Sequence, residues 1–270
     1  MSSNNGRTAI VTGASKGLGA GIATALAESG AAVVVNYRGC ARCRAGGRGH
    51  HRQGRPGDRG PADVASSDDV RRLFGRAREV FGPVDVLVNN AAVATFAPLS
   101  SITEDEFQRE MTTNLLGTIL TTQALAAQDD IDAASIINVS TAGTLSHPPY
   151  ASLYVASKGA VNAFTIVASR NWARAASVST RSCPDRRTPT APEPWAMSGR
   201  ITRHRRLPPP LGRTGSPDDY GPLVAFLASD DARGSPGTSS SLLEACADAP
   251  TISPRVTAWP RRPARCRWGR

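Results

Sequence analysis

The sequence predicts a single-domain α/β fold in which helices cover both faces of a doubly wound parallel sheet. Short apolar runs that read as buried strands recur at residues 9–11, 31–36, 84–88 and 134–139. A helical pattern follows the first run, from residue 21 to about residue 29, where Gly30 is suited to end the helix. Strands that alternate with helices in this way are typical of parallel α/β sheets.

Length and composition favour a protein with one large core. The 270 residues are enough to bury such a core, and no apolar run approaches the roughly 20 residues that cross a membrane. The first residues lack the charged-then-apolar pattern of a signal peptide. Five cysteines without regular spacing do not indicate a disulfide framework. We therefore expect a cytoplasmic protein without a membrane partner.

A glycine-rich turn joins the first strand to the first helix. Glycine lets the backbone approach a pyrophosphate, and a helix N-terminus offers unpaired N–H groups and a favourable dipole. A tight turn without a ligand is the alternative, but the strand–turn–helix context is the one that a dinucleotide site needs. The cofactor-binding residues expected in this turn are Gly13, Ser15, Lys16, Gly17, Leu18 and Gly19.

The end of the second strand bears on the choice of cofactor. Asn36, Tyr37 and Arg38 stand where an acidic residue would bind a ribose 2′-hydroxyl. Arg38 can instead accept a 2′-phosphate, and Lys16 in the turn adds a second cation. The sequence therefore favours NADP(H) over NAD(H).

Tyr154 and Lys158 form a candidate acid–base pair. Residues four apart share one face of a helix, and a nearby ammonium lowers the pKa of a phenol toward the range that suits proton transfer. Ser140 follows the strand-like run 134–139, and ligands bind at the carboxyl ends of strands in open parallel sheets. By itself the pair is weak evidence, because most such pairs are a half-buried tyrosine and a solvated lysine.

With these residues in order, the chain resembles the short-chain dehydrogenase/reductase family, in particular its 3-oxoacyl-acyl-carrier-protein-reductase-like branch. Asn114 belongs to the matching set, on a helix for which Thr103 and Glu106 predict a capping box. The other matching motifs are Thr12-Gly13-x-x-x-Gly17-x-Gly19, Asp63-Val64, Asn89-Asn90-Ala91-Ala92, Ser140 and Tyr154-x-x-x-Lys158. The resemblance covers roughly two thirds of the chain and implies a Rossmann-type fold.

The resemblance implies a role for each matching residue. Tyr154 would exchange a proton with the substrate oxygen, and Lys158 would lower the Tyr154 pKa and bind the nicotinamide ribose. Ser140 would hydrogen-bond the substrate carbonyl, and Asn114 would hold a water that links Lys158 to solvent. Further residues expected to bind the cofactor, with the first at its adenine end, are Asp63, Val64, Asn90 and Ala91.

The same resemblance implies the partners of the protein. A small-molecule ketone and its secondary alcohol would be the substrate pair, with hydride passing to or from the nicotinamide. Residues 144–150 are expected to border this substrate, whose identity is left open. A homo-oligomer, dimer or tetramer, would form through the helices that carry Asn114 and Tyr154.

The spacing around Ser140 departs from the family pattern. Ser140 lies fourteen positions before Tyr154, whereas thirteen is commoner, and Thr141 has the commoner spacing. Ser140 has the usual offset from Gly143, and a one-residue insertion in the following loop would reconcile the two. We therefore prefer Ser140 to Thr141 as the catalytic hydroxyl.

Three segments depart from the family pattern more strongly, residues 40–61, 171–207 and 234–270. They are rich in Arg, Pro, Gly or Ser where the family has a helix and third strand, a strand and a Pro-Gly turn, and the last core strand. When these segments are back-translated with GC-rich codons and the reading frame is moved by one nucleotide, each missing element can be encoded. This leads to the hypothesis of a frameshifted reductase gene. We assign residues 1–233 to the NAD(P)-binding reductase domain and residues 234–270 to an aberrant tail that we expect to be disordered.

The basic charge of the chain is confined to these segments. The formal net charge is +10, but residues 41–61, 171–207 and 234–270 hold 6, 8 and 6 arginines against 1, 2 and 2 acidic residues, which leaves −5 elsewhere. A basic nucleic-acid-binding protein is therefore not favoured. A zinc site is not favoured either. Its candidate ligands, Cys40, Cys43, His50 and His51, are spaced too closely for a zinc finger.

The serious alternative is an inactive or poorly folded reductase remnant, because Arg- and Pro-rich sequence does not replace buried strands.

Overall fold

Six parallel strands form one sheet in the part of the chain that the computed structural model describes, residues 3–39, 57–131, 134–171, 175–180 and 215–232. The strands are β1 (Thr8–Val11), β2 (Ala32–Tyr37), β3 (Gly57–Pro61), β4 (Val86–Asn89), β5 (Ser135–Thr141) and β6 (Ala175–Thr180). Their spatial order is β3-β2-β1-β4-β5-β6, so the winding reverses between β1 and β4. Open α/β sheets bind ligands at this point, outside the carboxyl ends of the strands. The predicted Rossmann-type fold is confirmed.

Helices pack on both faces of this sheet. Those of the described residues are α1 (Gly17–Glu28), α2 (Ser67–Phe81), α3 (Glu104–Met111), α4 (Gly117–Ala126), α5 (Gly143–Ser146), α6 (Ser152–Asn171) and α7 (Pro217–Ala228). A π-helical turn, Thr112–Leu116, joins α3 directly to α4. No described helix has the length and apolar character needed to cross a membrane.

Successive residues of each central strand contribute to two separate cores. Ala9 and Val11 pack on the face covered by α1 and α7, with Leu26 among their neighbours, whereas Ile10 packs on the opposite face with Phe74 of α2. This follows from the alternation of side chains along a strand. A run as short as residues 9–11 is apolar throughout because helices cover the sheet on both sides.

Local sequence signals set the helix ends as predicted. At the start of α3 the Thr103 hydroxyl accepts from the Glu106 N–H, and the Glu106 carboxylate accepts from the Thr103 N–H. Helix α1 ends at Glu28, and Gly30 follows with φ of +111°, in the region that favours glycine. These ends position the two helices whose neighbouring loops form the site.

The two outer strands lie within segments whose composition argued against strands. β3 lies within residues 40–61 and pairs with β2 from Val33–Gly57 to Tyr37–Pro61, and β6 lies within residues 171–207 and pairs with β5. The expectation that these segments lack strands is therefore wrong for both ranges. Backbone groups make the pairing, and an outer strand tolerates the glycine and proline that a central strand excludes.

Several other expectations lie outside the described residues. They concern the Pro-Gly turn of the family within residues 171–207, the tail at 234–270 and the candidate zinc ligands Cys40, Cys43, His50 and His51. Within the described ranges, no group of three or more His, Cys, Asp or Glu side chains could hold a metal ion.

Candidate active site

The turn between β1 and α1 has the geometry of a phosphate-binding loop. Gly13 and Gly17 have φ of +62° and +59°, and a Cβ on Gly13 would lie 2.7 Å from the Ala91 Cα. The Cβ position of Gly17 has nothing within 4 Å, so that side of the turn is open. Ser15 and Lys16 are exposed, and Lys16 caps α1 without a side-chain hydrogen bond. The first N–H groups of α1 are thus available to an anion.

The remaining residues of the turn hold it in shape. Leu18 is half-buried and packs against the core beneath α1. Gly19 is buried, and a Cβ there would lie 2.9 Å from the Ala14 Cα. Because both contacts are with the protein interior, these two residues position the turn rather than present side chains to a ligand.

Residues that follow β4 are tied to this turn by Thr12. The N–H groups of Asn90 and Ala91 both donate to Thr12 Oγ1 at 3.0 Å. The Asn90 amide donates to Thr12 O at 2.8 Å and to Gly13 O at 3.1 Å. The carboxyl ends of β1 and β4 therefore line one crevice, which brings these predicted cofactor residues together.

Arg38 and Asp63 meet at the carboxyl ends of β2 and β3. Arg38 Nε lies 3.1 Å from Asp63 Oδ2, with 70% of the arginine and 26% of the aspartate side chain exposed. The adjacent Val64 is buried and packs against Gly117 at the start of α4. The pair puts an exposed guanidinium at the end of the crevice away from β5.

Asn36 is buried inside this part of the sheet. Its amide donates to Gly60 O at 2.8 Å and to Ala62 O at 3.1 Å, and its Oδ1 accepts from Gly13 N at 3.4 Å. One side chain therefore joins β2, the end of β3 and the glycine turn, a structural role that the sequence reading did not assign.

Tyr154 of α6 lies beside the carboxyl end of β5. Its side chain is half-buried, and its ring centroid lies 6.0 Å from that of Phe96. Burial, and then the charge of Glu110, raise the Tyr154 pKa, while hydrogen bonding with the Thr141 side chain lowers it. The predicted net lowering of this pKa is therefore wrong, because burial disfavours the phenolate.

Lys158 is buried one turn further along α6. Its ammonium donates to Val139 O at 2.7 Å, and 3% of the residue is exposed. Burial lowers the Lys158 pKa from 10.5 to about 8, against the opposing charge of Glu110. The ammonium is thus held by a strand carbonyl, and its proton is held less tightly than in water.

Asn114 lies in the π-helical turn and is completely buried. Its Oδ1 accepts from Val93 N, and its Nδ2 donates to Val93 O and to Ser157 Oγ, each at 2.9 Å. The side chain therefore links the loop after β4 to α6. Both amide hydrogens of Asn114 already bond to protein atoms. The predicted water would therefore have to donate to an oxygen of Asn114.

Ser140 and Thr141 end β5 at its ligand-facing edge. Both are buried, and as consecutive strand residues they point to opposite faces of the sheet. The Thr141 hydroxyl interacts with that of Tyr154, and its Oγ1 also accepts from Gly143 N at 3.1 Å. Thr141 also has the commoner spacing of thirteen residues from Tyr154.

Glu110 is a site residue that the sequence reading missed. It is completely buried on α3, and its charge acts on both Tyr154 and Lys158. Its position four residues before Asn114, near the end of α3, was the available signal, because such a spacing favours one helix face.

Comparison with known proteins agrees with this geometry. A sequence model of the short chain dehydrogenase family matches residues 7–189. The chain is 40% identical over 246 residues to an uncharacterized oxidoreductase of Methylorubrum extorquens, covering 86% of this chain and 94% of the relative. It is 31% identical over 250 residues to D-beta-hydroxybutyrate dehydrogenase of Cupriavidus necator, covering 85% of this chain and 93% of the relative.

A solved structure shares the fold across the same extent. It is a blue fluorescent protein from a metagenomic library in complex with NADPH, 29% identical, with a TM-score of 0.69. The match covers 86% of this chain and 94% of the other.

Proposed function

The chain belongs to the short-chain dehydrogenase family, and on that premise we propose that it interconverts a ketone and a secondary alcohol with NADP(H), with Tyr154 as general acid–base. The observation that carries the proposal is the interaction of the half-buried Tyr154 hydroxyl with Thr141 at the end of β5, on a helix that carries the buried Lys158 one turn further on. The three side chains lie at the same sheet edge as the open glycine turn, so a carbonyl and a nicotinamide can meet there.

The state of Tyr154 favours reduction of the ketone. A raised pKa keeps the phenol protonated near neutral pH, which is the form that donates a proton to a carbonyl oxygen. Hydride is the contribution of the bound nicotinamide. Lys158, a buried cation close to the phenol, favours the phenolate left after transfer.

Thr141 is the hydroxyl that we assign to the substrate oxygen, in place of the expected Ser140. A hydroxyl already bonded to the proton donor can also bond the oxygen that receives the proton. Ser140 then supports the strand end. The two assignments predict different losses on substitution.

The cofactor preference rests on charge at the far end of the crevice. Arg38 is exposed beside Asp63, and exposed Lys16 lies in the turn, which supports a 2′-phosphate and therefore NADP(H). NADPH is the nucleotide in the related metagenomic protein. Gly13, Ser15, Gly17, Asn90 and Ala91 would line the rest of the dinucleotide.

The substrate side carries exposed apolar groups. Phe96, Leu145 and Tyr150 are each half or more exposed near Tyr154 or on the loops beside it, and Ala97 N donates to Tyr150 O at 2.9 Å. These side chains support a carbonyl substrate with an apolar substituent, as in the 3-oxoacyl branch of the family. Residues 144–150 are part of this border.

The remaining expectations concern assembly and the origin of the unusual segments. Exposed Leu116, Ile166 and Val167 on the helices that carry Asn114 and Tyr154 support a homo-oligomer. The frameshift stays a hypothesis that the coding DNA would test, and in-frame segments would end it. Six paired strands and capped helices support a folded reductase over an inactive remnant.

An assay of NADPH oxidation with aliphatic ketones, aryl ketones and 3-oxoacyl thioesters tests the proposed function. We expect Tyr154→Phe to lower kcat by roughly 10²- to 10⁴-fold, the usual contribution of a general acid. NADPH should still raise the melting temperature of this variant, because the nucleotide contacts remain. Tyr220→Phe, on α7, is the matched control. Absence of both ketone reduction and NADPH-induced stabilisation in the unaltered protein would instead support the remnant.

A further inference from the structure

The loop that follows β4 is held to the protein at alternate residues. Ala91 is bonded to Thr12, Val93 to Asn114, Thr95 to α3, and Ala97 to Tyr150. Phe96 lies between the last two of these points, with its ring against Tyr154. Each anchor therefore affects where Phe96 sits relative to the phenol.

Glu110 provides the anchor at Thr95. Its Oε2 accepts from Thr95 N at 3.2 Å, while neighbouring Arg109 donates to Thr95 Oγ1 at 3.2 Å. Glu110 is completely buried, and its Oε1 has no hydrogen-bond partner among the described residues. A buried carboxylate with one free oxygen is destabilising unless a positive charge is near.

The charged groups that act on Glu110 are Arg109 and Glu106 of its own helix, and burial is the main cause of its raised pKa. Helix α3 packs against α6, and the charge of Glu110 raises the pKa of Lys158 as well as that of Tyr154. The charge of Glu110 therefore acts on both members of the candidate acid–base pair.

We propose that Glu110 is a positioning residue of the active site, whose carboxylate fixes the Thr95–Phe96 loop against Tyr154 and supplies the site with a negative charge. The proposal rests on the proposed function in so far as Tyr154 is the proton donor. Glu110 contacts the loop and acts through Tyr154 and Lys158, so its two contributions, a hydrogen bond and a charge, can be separated by substitution.

Glu110→Gln removes the charge and keeps an oxygen that can accept from Thr95 N, whereas Glu110→Ala removes both. Glu104→Gln, at the exposed start of α3, is the matched control for loss of a carboxylate. Ultraviolet titration of each protein against its Tyr154→Phe counterpart isolates Tyr154 from the other three tyrosines. Circular dichroism at each pH reports whether the fold persists.

In Glu110→Gln we expect Tyr154 to ionise at lower pH than in the unaltered protein, because a negative charge that opposed the phenolate is gone. Glu104→Gln should not shift this titration. With a ketone that the protein reduces, Glu110→Gln should keep KM, whereas Glu110→Ala should raise KM through the released loop.

Two results would overturn the proposal. One is a Tyr154 titration that does not move in Glu110→Gln; the other is an unchanged KM in Glu110→Ala. The titration needs no turnover, so it measures the effect of Glu110 on Tyr154 even if no ketone is reduced. An unshifted titration in an enzyme that reduces ketones would contradict the role of Glu110 and leave the proposed function standing.

Discussion

The nucleotide side and the catalytic side of the crevice are built in different ways. On the nucleotide side, the turn between β1 and α1 is made of backbone. It is closely packed at Gly13 and open at Gly17, and Lys16 is exposed. At the ends of β4 and β5 the decisive groups are buried side chains, such as Asn114 and Lys158, that already bond to protein atoms. One side offers free groups to a ligand, whereas the other holds its groups in place.

This difference indicates where each side is sensitive to change. The nucleotide side depends on close backbone packing and on glycines with positive φ, so an added Cβ should be destabilising there. The catalytic side depends on buried polar partners, so removal of one group leaves another without its bond. Substitutions of similar size should therefore act on cofactor binding or stability on one side and on turnover on the other.

Among the substitutions that compare the two sides, Thr141→Ala should have the largest effect. Thr141→Ala should lower kcat by about 10²-fold or more, the usual loss when one donor to a reacting oxygen is removed. Ser140→Ala should lower it less, because Thr141 is the hydroxyl that acts on the Tyr154 pKa. Steady-state kinetics of both variants decide the question, with Thr141→Ser as the variant that should recover activity. A larger loss in Ser140→Ala would return the role to Ser140.

An intermediate effect is expected at Gly13. Gly13→Ala puts a Cβ 2.7 Å from the Ala91 Cα at φ of +62°, which should lower the free energy of unfolding by about 1–3 kcal/mol. Gly75→Ala is the control, since Gly75 is exposed within α2 and its Cβ position has nothing within 4 Å. It should stabilise by about 0.5–1 kcal/mol. Urea denaturation compares the two, and equal effects would contradict the close-packed turn.

The smallest effect is expected at Arg38. Arg38→Ala should weaken NADPH binding about tenfold, or about 1.4 kcal/mol, while NADH binding changes little because it lacks the 2′-phosphate. Arg71→Ala, an exposed arginine paired with Asp68 on α2, is the control. Calorimetric titration with both nucleotides measures the difference. Equal weakening of NADPH and NADH would argue against a 2′-phosphate site.

Features that depend on local backbone rules could be read from the sequence. The glycine turn and the capping box at Thr103 follow from neighbours within a few residues. The partner of Lys158 could not be read, because Val139 O is a backbone group on a distant strand. Helical spacing suggested that Lys158 would lower the Tyr154 pKa, whereas burial dominates it.

The outer strands and Glu110 were missed for different reasons. β3, Gly57–Pro61, has no apolar pattern, and its pairing with β2 uses backbone atoms that any sequence supplies. Glu110 reads as one more acidic residue near the end of a polar helix, and its burial is set by the loop and by α6. Pattern reasoning finds apolar faces, and neither feature has one.

The buried amide of Asn36 restricts how this lineage could change its coenzyme. Asn36→Asp is nearly isosteric, but a carboxylate has no hydrogens for Gly60 O and Ala62 O, both of which the amide now satisfies. Two carbonyls would face a negative charge in the interior, a severe penalty. An acidic residue for ribose recognition could therefore be acquired more readily at Tyr37 or Arg38, outside the buried amide network. If the protein uses NADP(H), as we propose, the seam between β2 and β3 narrows the mutational routes by which it could adopt NAD(H).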